Sequence, residues 1–100
     1  MAELTVVYWR DIPAQVIAKA GRKAAKRQLA GRFEKAIDRA AMRDKATETD
    51  SYLAEWRRGD PQPCGPDLDA EADAAASQIE ADYDDNRLDR LIAAGGREVS

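Results

Sequence analysis

The run Leu4-Thr5-Val6-Val7-Tyr8-Trp9 is the densest block of β-branched and aromatic residues in the chain, and it reads as a strand. Both sides of that strand are largely apolar, so it is expected to be the best-buried one. Pro13 lacks an amide donor and biases Ile12 away from helix, so Asp11-Ile12-Pro13 ends the run. Residues 14–20 can pair back as a second strand, with Val16 and Ala18 on one face and Gln15, Ile17 and Lys19 on the other. Gly21-Arg22 supplies a turn. Lys23 to Leu29 then reads as a third strand or as the start of a helix. Two strands alone are marginal in water, which favours the third.

The middle of the chain is helical. Leu29, Phe33, Ile37 and Ala40/Ala41 recur at the spacing of one helix face, and Glu34, Lys35, Asp38, Arg39 and Arg43 fill the other side. Asp50 reads as the N-cap of a second helix from Ser51 to Arg58. Tyr52, Leu53 and Trp56 form its apolar side, with Arg57-Arg58 at a C-terminus where cations are favoured. Gly59 to Pro66 holds three prolines and two glycines and reads as a linker or rigid loop. Asp67 can cap a further helix whose stripe is Leu68, Ala72, Ala75, Ile79 and Tyr83. Asp84-Asp85-Asn86 interrupts that stripe, Leu88, Leu91 and Ile92 resume it, and Gly95-Gly96 ends it.

The expected fold class is α+β: a short antiparallel sheet of two or three strands packed under two helices. A Pro/Gly loop and an acidic, alanine-rich C-terminal helix follow. The corresponding segments are 1–58, 59–66 and 67–96. Alanine fills 20 of the 100 positions and aromatics only six, so one small core is all that the chain can bury. A two-domain enzyme with a deep cleft is excluded by size. No stretch approaches a membrane span, and the first residues lack a basic region followed by an apolar one. With a single cysteine, Cys64, a reducing cytoplasm is the expected compartment.

Charge is strongly divided beneath a net of −3. From Lys19 to Lys45 ten bases face three acids, whereas from Gly59 to Ser100 eleven acids face three bases. Such a split suggests a basic face for an anionic partner, or an acidic segment folded back on the basic one. Lys23, Lys26, Arg27, Arg32, Lys35 and Arg39 are the candidate anion-binding residues.

Catalytic chemistry is poorly supplied. The chain has no histidine, so Ser–His and Cys–His pairs are impossible and the commonest general base is missing. One thiol without imidazole cannot build a usual zinc shell. Asp82, Asp84, Asp85 and Asp89 lack the ordered calcium-loop pattern and read as a solvated helix face. No glycine-rich phosphate loop is present, so no cofactor is expected. Nucleic-acid binding through residues 19–45 is the alternative function. It is weakened by the acidic net charge and by Phe33, the segment's one aromatic, belonging to the core stripe.

The string Val7-Tyr8-Trp9-Arg10-Asp11-Ile12-Pro13-Ala14-Gln15-Val16 resembles the small bacterial "virulence factor" domain family. Gly21-Arg22-Lys23, the runs 29–33 and 36–42, and Tyr52-Leu53-Ala54-Glu55-Trp56 fit it too. The resemblance covers about Leu4 to Arg58. Stand-alone members tend to be encoded beside corrinoid-dependent methyltransferases and methylenetetrahydrofolate-reductase-like proteins. The resemblance therefore implies an accessory protein in one-carbon metabolism, with one of those enzymes as partner, and it supplies no catalytic residues. The expected function is non-enzymatic protein binding. Tyr8, Trp9, Arg10, Arg57 and Arg58 are the expected anchors, since aromatic and arginine side chains dominate interface energetics. A subunit that completes another enzyme's active site is a third class.

Overall fold

The computed structural model describes residues 2–43 and 49–97. Strands β1 (Glu3–Trp9), β2 (Ile12–Ala20) and β3 (Lys23–Gln28) form an antiparallel meander. Helices α1 (Gly31–Arg43) and α2 (Thr49–Ala54) follow, then short strands β4 (Trp56–Arg58) and β5 (Gln62–Pro63). Helices α3 (Leu68–Asp82) and α4 (Asp85–Ala93) complete the chain. The sheet order is β3-β2-β1-β4, with β5 also on β1.

The fold is α+β with an antiparallel sheet, as expected, but the sheet has five strands and not two or three. Lys23–Gln28 is a strand despite its alanines and lysines, because it closes the edge of β2. The two extra strands cover the other edge of β1, whose amides and carbonyls would otherwise lack partners. β4 pairs with Val7–Trp9, and β5 pairs with Glu3 and Leu4. Backbone bonds from Gly59 N–H to the Val6 carbonyl (2.8 Å) and from Cys64 N–H to the Ala2 carbonyl (3.1 Å) extend this seam. Prolines are tolerated there because β5 lies at the sheet's edge.

The expected helix over Ser51–Arg58 is therefore corrected. α2 stops at Ala54, and Trp56–Arg58 is extended. The helical spacing of Tyr52, Leu53 and Trp56 misleads because Leu53 is 57% exposed, while Tyr52 and Trp56 pack on each other and against the core.

One core joins the whole chain. Val16, Ala18 and Ala25 of the sheet, Phe33, Ile37 and Ala40 of α1, and Ala72, Ala76, Leu88 and Leu91 of α3 and α4 belong to a single buried cluster. The acidic helical region is thus a layer of the domain, and residues 59–66 run along the sheet edge. It consists of two helices, divided where the stripe is interrupted. Asp67 Oδ1 accepts from Ala70 N–H (3.2 Å) to cap α3, and Asp84 Oδ1 accepts from Arg87 N–H (2.8 Å) to cap α4.

Gly95 and Gly96 close α4 with positive φ, their amides reaching the Ile92 (3.0 Å) and Leu91 (2.7 Å) carbonyls. A Cβ at Gly96 would meet the Trp9 ring at 2.9 Å, so this position needs glycine for space as well as for conformation. No helix among the described residues is long and apolar enough to cross a membrane.

Alanine lets α3 lie close on β2 and β3, and this contact is testable. Ala72→Leu overpacks a fully buried position and is expected to cost ~1–3 kcal/mol in urea unfolding. Ala74→Leu, on the exposed side of the same helix, should change stability by less than about 0.5 kcal/mol. Equal effects would show that α3 is not docked.

Candidate partner-binding surface

Strand pairing decides which of the expected anchors meet. β4 runs antiparallel to β1 with Arg57 opposite Tyr8, Trp56 opposite Trp9 and Arg58 opposite Val7. Opposed residues share a sheet face and successive residues alternate. Arg57 therefore lies over Tyr8, its guanidinium carbon 4.6 Å from the ring centroid. Arg58 points to the other face and stays exposed.

Trp9 and Arg10 take a different role. Trp9 is fully buried, and its indole N–H donates to the Tyr52 carbonyl (3.0 Å). Arg10 is 7% exposed and occupies the β1–β2 turn at φ +56°, the left-handed region that favours glycine. Its amide donates to the Glu55 carbonyl (3.0 Å), its Nη1 to the Gly95 carbonyl, and its Nε lies 3.4 Å from the Glu55 carboxylate. Both side chains hold the fold together from inside and present no docking surface. Aromatic–arginine clusters look alike in a core and at an interface, so residue type alone does not separate the two roles.

The surface ensemble is instead exposed Arg57 with half-buried Tyr8, Asp11, Tyr83 and Arg87, which with Gly59 line a depression of about 310 Å³. Arg57 Nη2 donates to Asp11 Oδ1 (3.1 Å), and its Nε donates to the Arg10 carbonyl (2.9 Å). Arg87 stacks 3.8 Å from the Tyr83 ring centroid. Two arginine–tyrosine stacks thus flank one carboxylate. Tyr83 and Arg87 were missed as site residues because they lie far along the chain, at the α3–α4 break. The periodic stripe assigned Tyr83 to packing, which it also performs against Phe33.

The candidate anion-binding residues do not form one patch. Lys23 and Lys26 are exposed on β3, and Lys35 and Arg39 are exposed on α1. Arg27 instead turns toward α3 and pairs with Asp73 (2.6 Å) and Asp69 (3.0 Å). Arg32 donates to the carbonyls of Glu80 (2.6 Å) and Tyr83 at the end of α3. The last two residues of the basic segment, 44 and 45, lie outside the described residues. Among the acids, Asp82 accepts from Gln78, Asp84 caps α4, and Asp85 lies 3.8 Å from Arg32. No cluster of metal-ligating side chains occurs among the described residues.

Fold and surface together define a small α+β domain bearing an arginine–tyrosine face. The family model described as "Virulence factor" matches residues 7–92, and the chain belongs to that family. The match runs past Arg58, where the resemblance was expected to stop, through the loop and both C-terminal helices. No curated protein and no solved structure matches the chain.

Arg10→Ala removes a buried guanidinium and its bond to the Gly95 carbonyl and should cost about 1–3 kcal/mol. Arg10→Gly should cost about 1 kcal/mol less, because glycine removes the left-handed penalty; urea unfolding of both variants measures the difference. At Cys64, burial raises the thiol pKa, and the nearby Glu71 and Glu3 raise it further. Thiolate is the reactive form, so iodoacetamide should alkylate Cys64 several-fold more slowly than free cysteine at pH 8. Glu71→Gln should speed that reaction.

Proposed function

We propose that the chain is a non-enzymatic protein-binding module whose docking face centres on Tyr8, Arg57, Tyr83 and Arg87. The observation that carries this reading is the pair of arginine–tyrosine stacks around one shallow depression. Tyrosine and arginine are the side chains most enriched at interface hot spots. Stacking holds each guanidinium in place before binding, so less side-chain entropy is lost on association. The depression is open and shallow, suited to a protein surface more than to an enclosed substrate.

A partner from corrinoid- or folate-linked methyl transfer is the expectation that the family resemblance supplies, with this chain as the accessory subunit. Nucleic acid is the rival. The commitment of Arg27 and Arg32 to α3 favours the protein reading, because it removes two of the six candidate phosphate contacts.

A tagged chain and its Tyr8→Ala/Arg57→Ala variant should be compared in pull-downs from the native host at moderate salt, read by mass spectrometry. Loss of two anchors worth ~2 kcal/mol together should weaken capture about 30-fold. Equal capture by a variant with unchanged circular dichroism, or recovery of nucleic acid in place of protein, would overturn the proposal.

A further inference from the structure

A second site lies on the other side of β4, and its chemistry is opposite in sign. Ala14, Gln28, Leu29, Glu34, Ile37, Asp38, Tyr52 and Trp56 enclose a cavity of about 200 Å³. Its walls are the Tyr52 and Trp56 rings, 5.9 Å apart between centroids and inclined at 80°. The two rings meet edge to face in a corner that lines the cavity, where a cation can reach aromatic π-density. Trp9 stacks behind Tyr52 at 5.8 Å and donates its indole N–H to the Tyr52 carbonyl, so the corner is held from within the core.

Glu34 and Asp38 complete the enclosure. They stand one turn apart on α1, where two like charges at i and i+4 slightly destabilise a helix. Both are exposed, and neither forms an ion pair among the described residues. They are also the only acids between Lys19 and Arg43, a stretch with nine bases. Two of the three acids of the basic segment 19–45 thus stand at one aromatic corner and give it a local negative field. Burial raises the Tyr52 phenol pKa, the charges of Asp38 and Glu34 raise it further, and a hydrogen bond with Trp56 offsets part of the rise.

We propose that this pocket binds an organic cation of the guanidinium or alkylammonium type. The rings take the cation's face or methyl groups, Glu34 and Asp38 accept its N–H bonds or neutralise its charge, and Leu29 and Ile37 receive its apolar stem. The volume admits a group the size of an arginine or lysine side chain and excludes a nucleotide. An anion is repelled. The site uses none of the side chains of the Tyr8–Arg57 face, so it stands or falls separately.

Binding is tested by following the Trp56 indole resonance in 1H–15N spectra of the full chain while titrating N-acetyl-arginine amide. Cation–π and paired-carboxylate contacts of this kind correspond to a Kd of about 1 mM. Glu34→Gln/Asp38→Asn, two surface changes of nearly equal volume, should weaken binding at least about tenfold without altering the rest of the spectrum. Asp89→Asn, which neutralises an exposed carboxylate outside the pocket, should leave it unchanged. A short peptide carrying one arginine and free agmatine separate the sources. Tighter binding of the peptide assigns the pocket to a partner's side chain, and tighter or equal binding of agmatine assigns it to a small amine. An unmoved Trp56 resonance, or equal binding by the doubly neutralised variant, would overturn the proposal.

Discussion

The β1–β2 turn at Arg10-Asp11 is the point on which the rest of the structure depends. Two distant segments, the α2–β4 corner and the end of α4, meet there. Arg10 N–H reaches the Glu55 carbonyl, Asp11 N–H reaches the Gly96 carbonyl at 2.8 Å, and the Arg10 carbonyl accepts from Arg57. The guanidinium of Arg10 adds a hydrogen bond to the Gly95 carbonyl and an ion pair with Glu55 from inside. A buried charge is costly unless it is paired and hydrogen-bonded. It is also specific, because only one arrangement of the α2–β4 corner and the α4 terminus satisfies it. A left-handed arginine costs about 1–2 kcal/mol, and such strain persists only where the surroundings over-determine it. Gly96 has no side chain, so the last turn can close over Trp9, which seals the corner.

Away from that turn, an alanine-rich core leaves the helices less apolar contact than larger side chains would give, and electrostatics between helix ends adds to it. Glu80, near the end of α3, accepts the Ala30 amide at the start of α1 (3.1 Å), where negative charge suits the helix dipole. Arg32 at the start of α1 reaches back to the carbonyls that end α3. Arg43, at the end of α1, donates to the Ala93 carbonyl at the end of α4 (3.1 Å). The start of α1 and the ends of α3 and α4 are thus met by charge of the sign each favours, supplied by a neighbour. Exposed ion pairs such as Arg27 with Asp69 and Asp73 contribute little singly, but they fix the register of α3 across β3. The split charge of the chain is therefore partly an internal recognition device.

Elements whose signal is local were legible in the sequence. The β1 run, the Asp67 cap and the Gly95-Gly96 stop each follow from residues that constrain their own backbone. The break, however, falls at Arg10-Asp11, with Ile12 and Pro13 inside β2, and β2 is more buried than β1. What was not legible depends on partners far along the chain. Trp56–Arg58 extends because the edge of β1 is open to it, and residues 62–63 pair because the loop passes Glu3 and Leu4. Nothing within those segments announces a strand. Trp9 and Arg10 show the same limit for function. Their residue types mark an anchor, but only the fold decides whether the anchor faces a partner or the core. Tyr83 and Arg87 reach the site through the break between α3 and α4, which sequence shows as an interruption without saying where it lies.

The segment most misread as helix is also the one that organises both candidate sites. On a helix, Trp56 and Arg57 would sit about 100° apart on one continuous surface. On strand β4 they project to opposite sides. Trp56 joins Tyr52, Glu34 and Asp38 on the negative side, and Arg57 joins Tyr8, Asp11, Tyr83 and Arg87 on the other. Three residues of edge strand thereby separate an aromatic–carboxylate corner from an arginine–tyrosine face. A side chain that β4 orients toward one site cannot serve the other, so a partner that meets both must present a cation on one side and an acidic or aromatic surface on the other. Because β4 is held by Arg10 and by only three paired residues of β1, any loss at the Arg10 turn removes the geometry of both sites together.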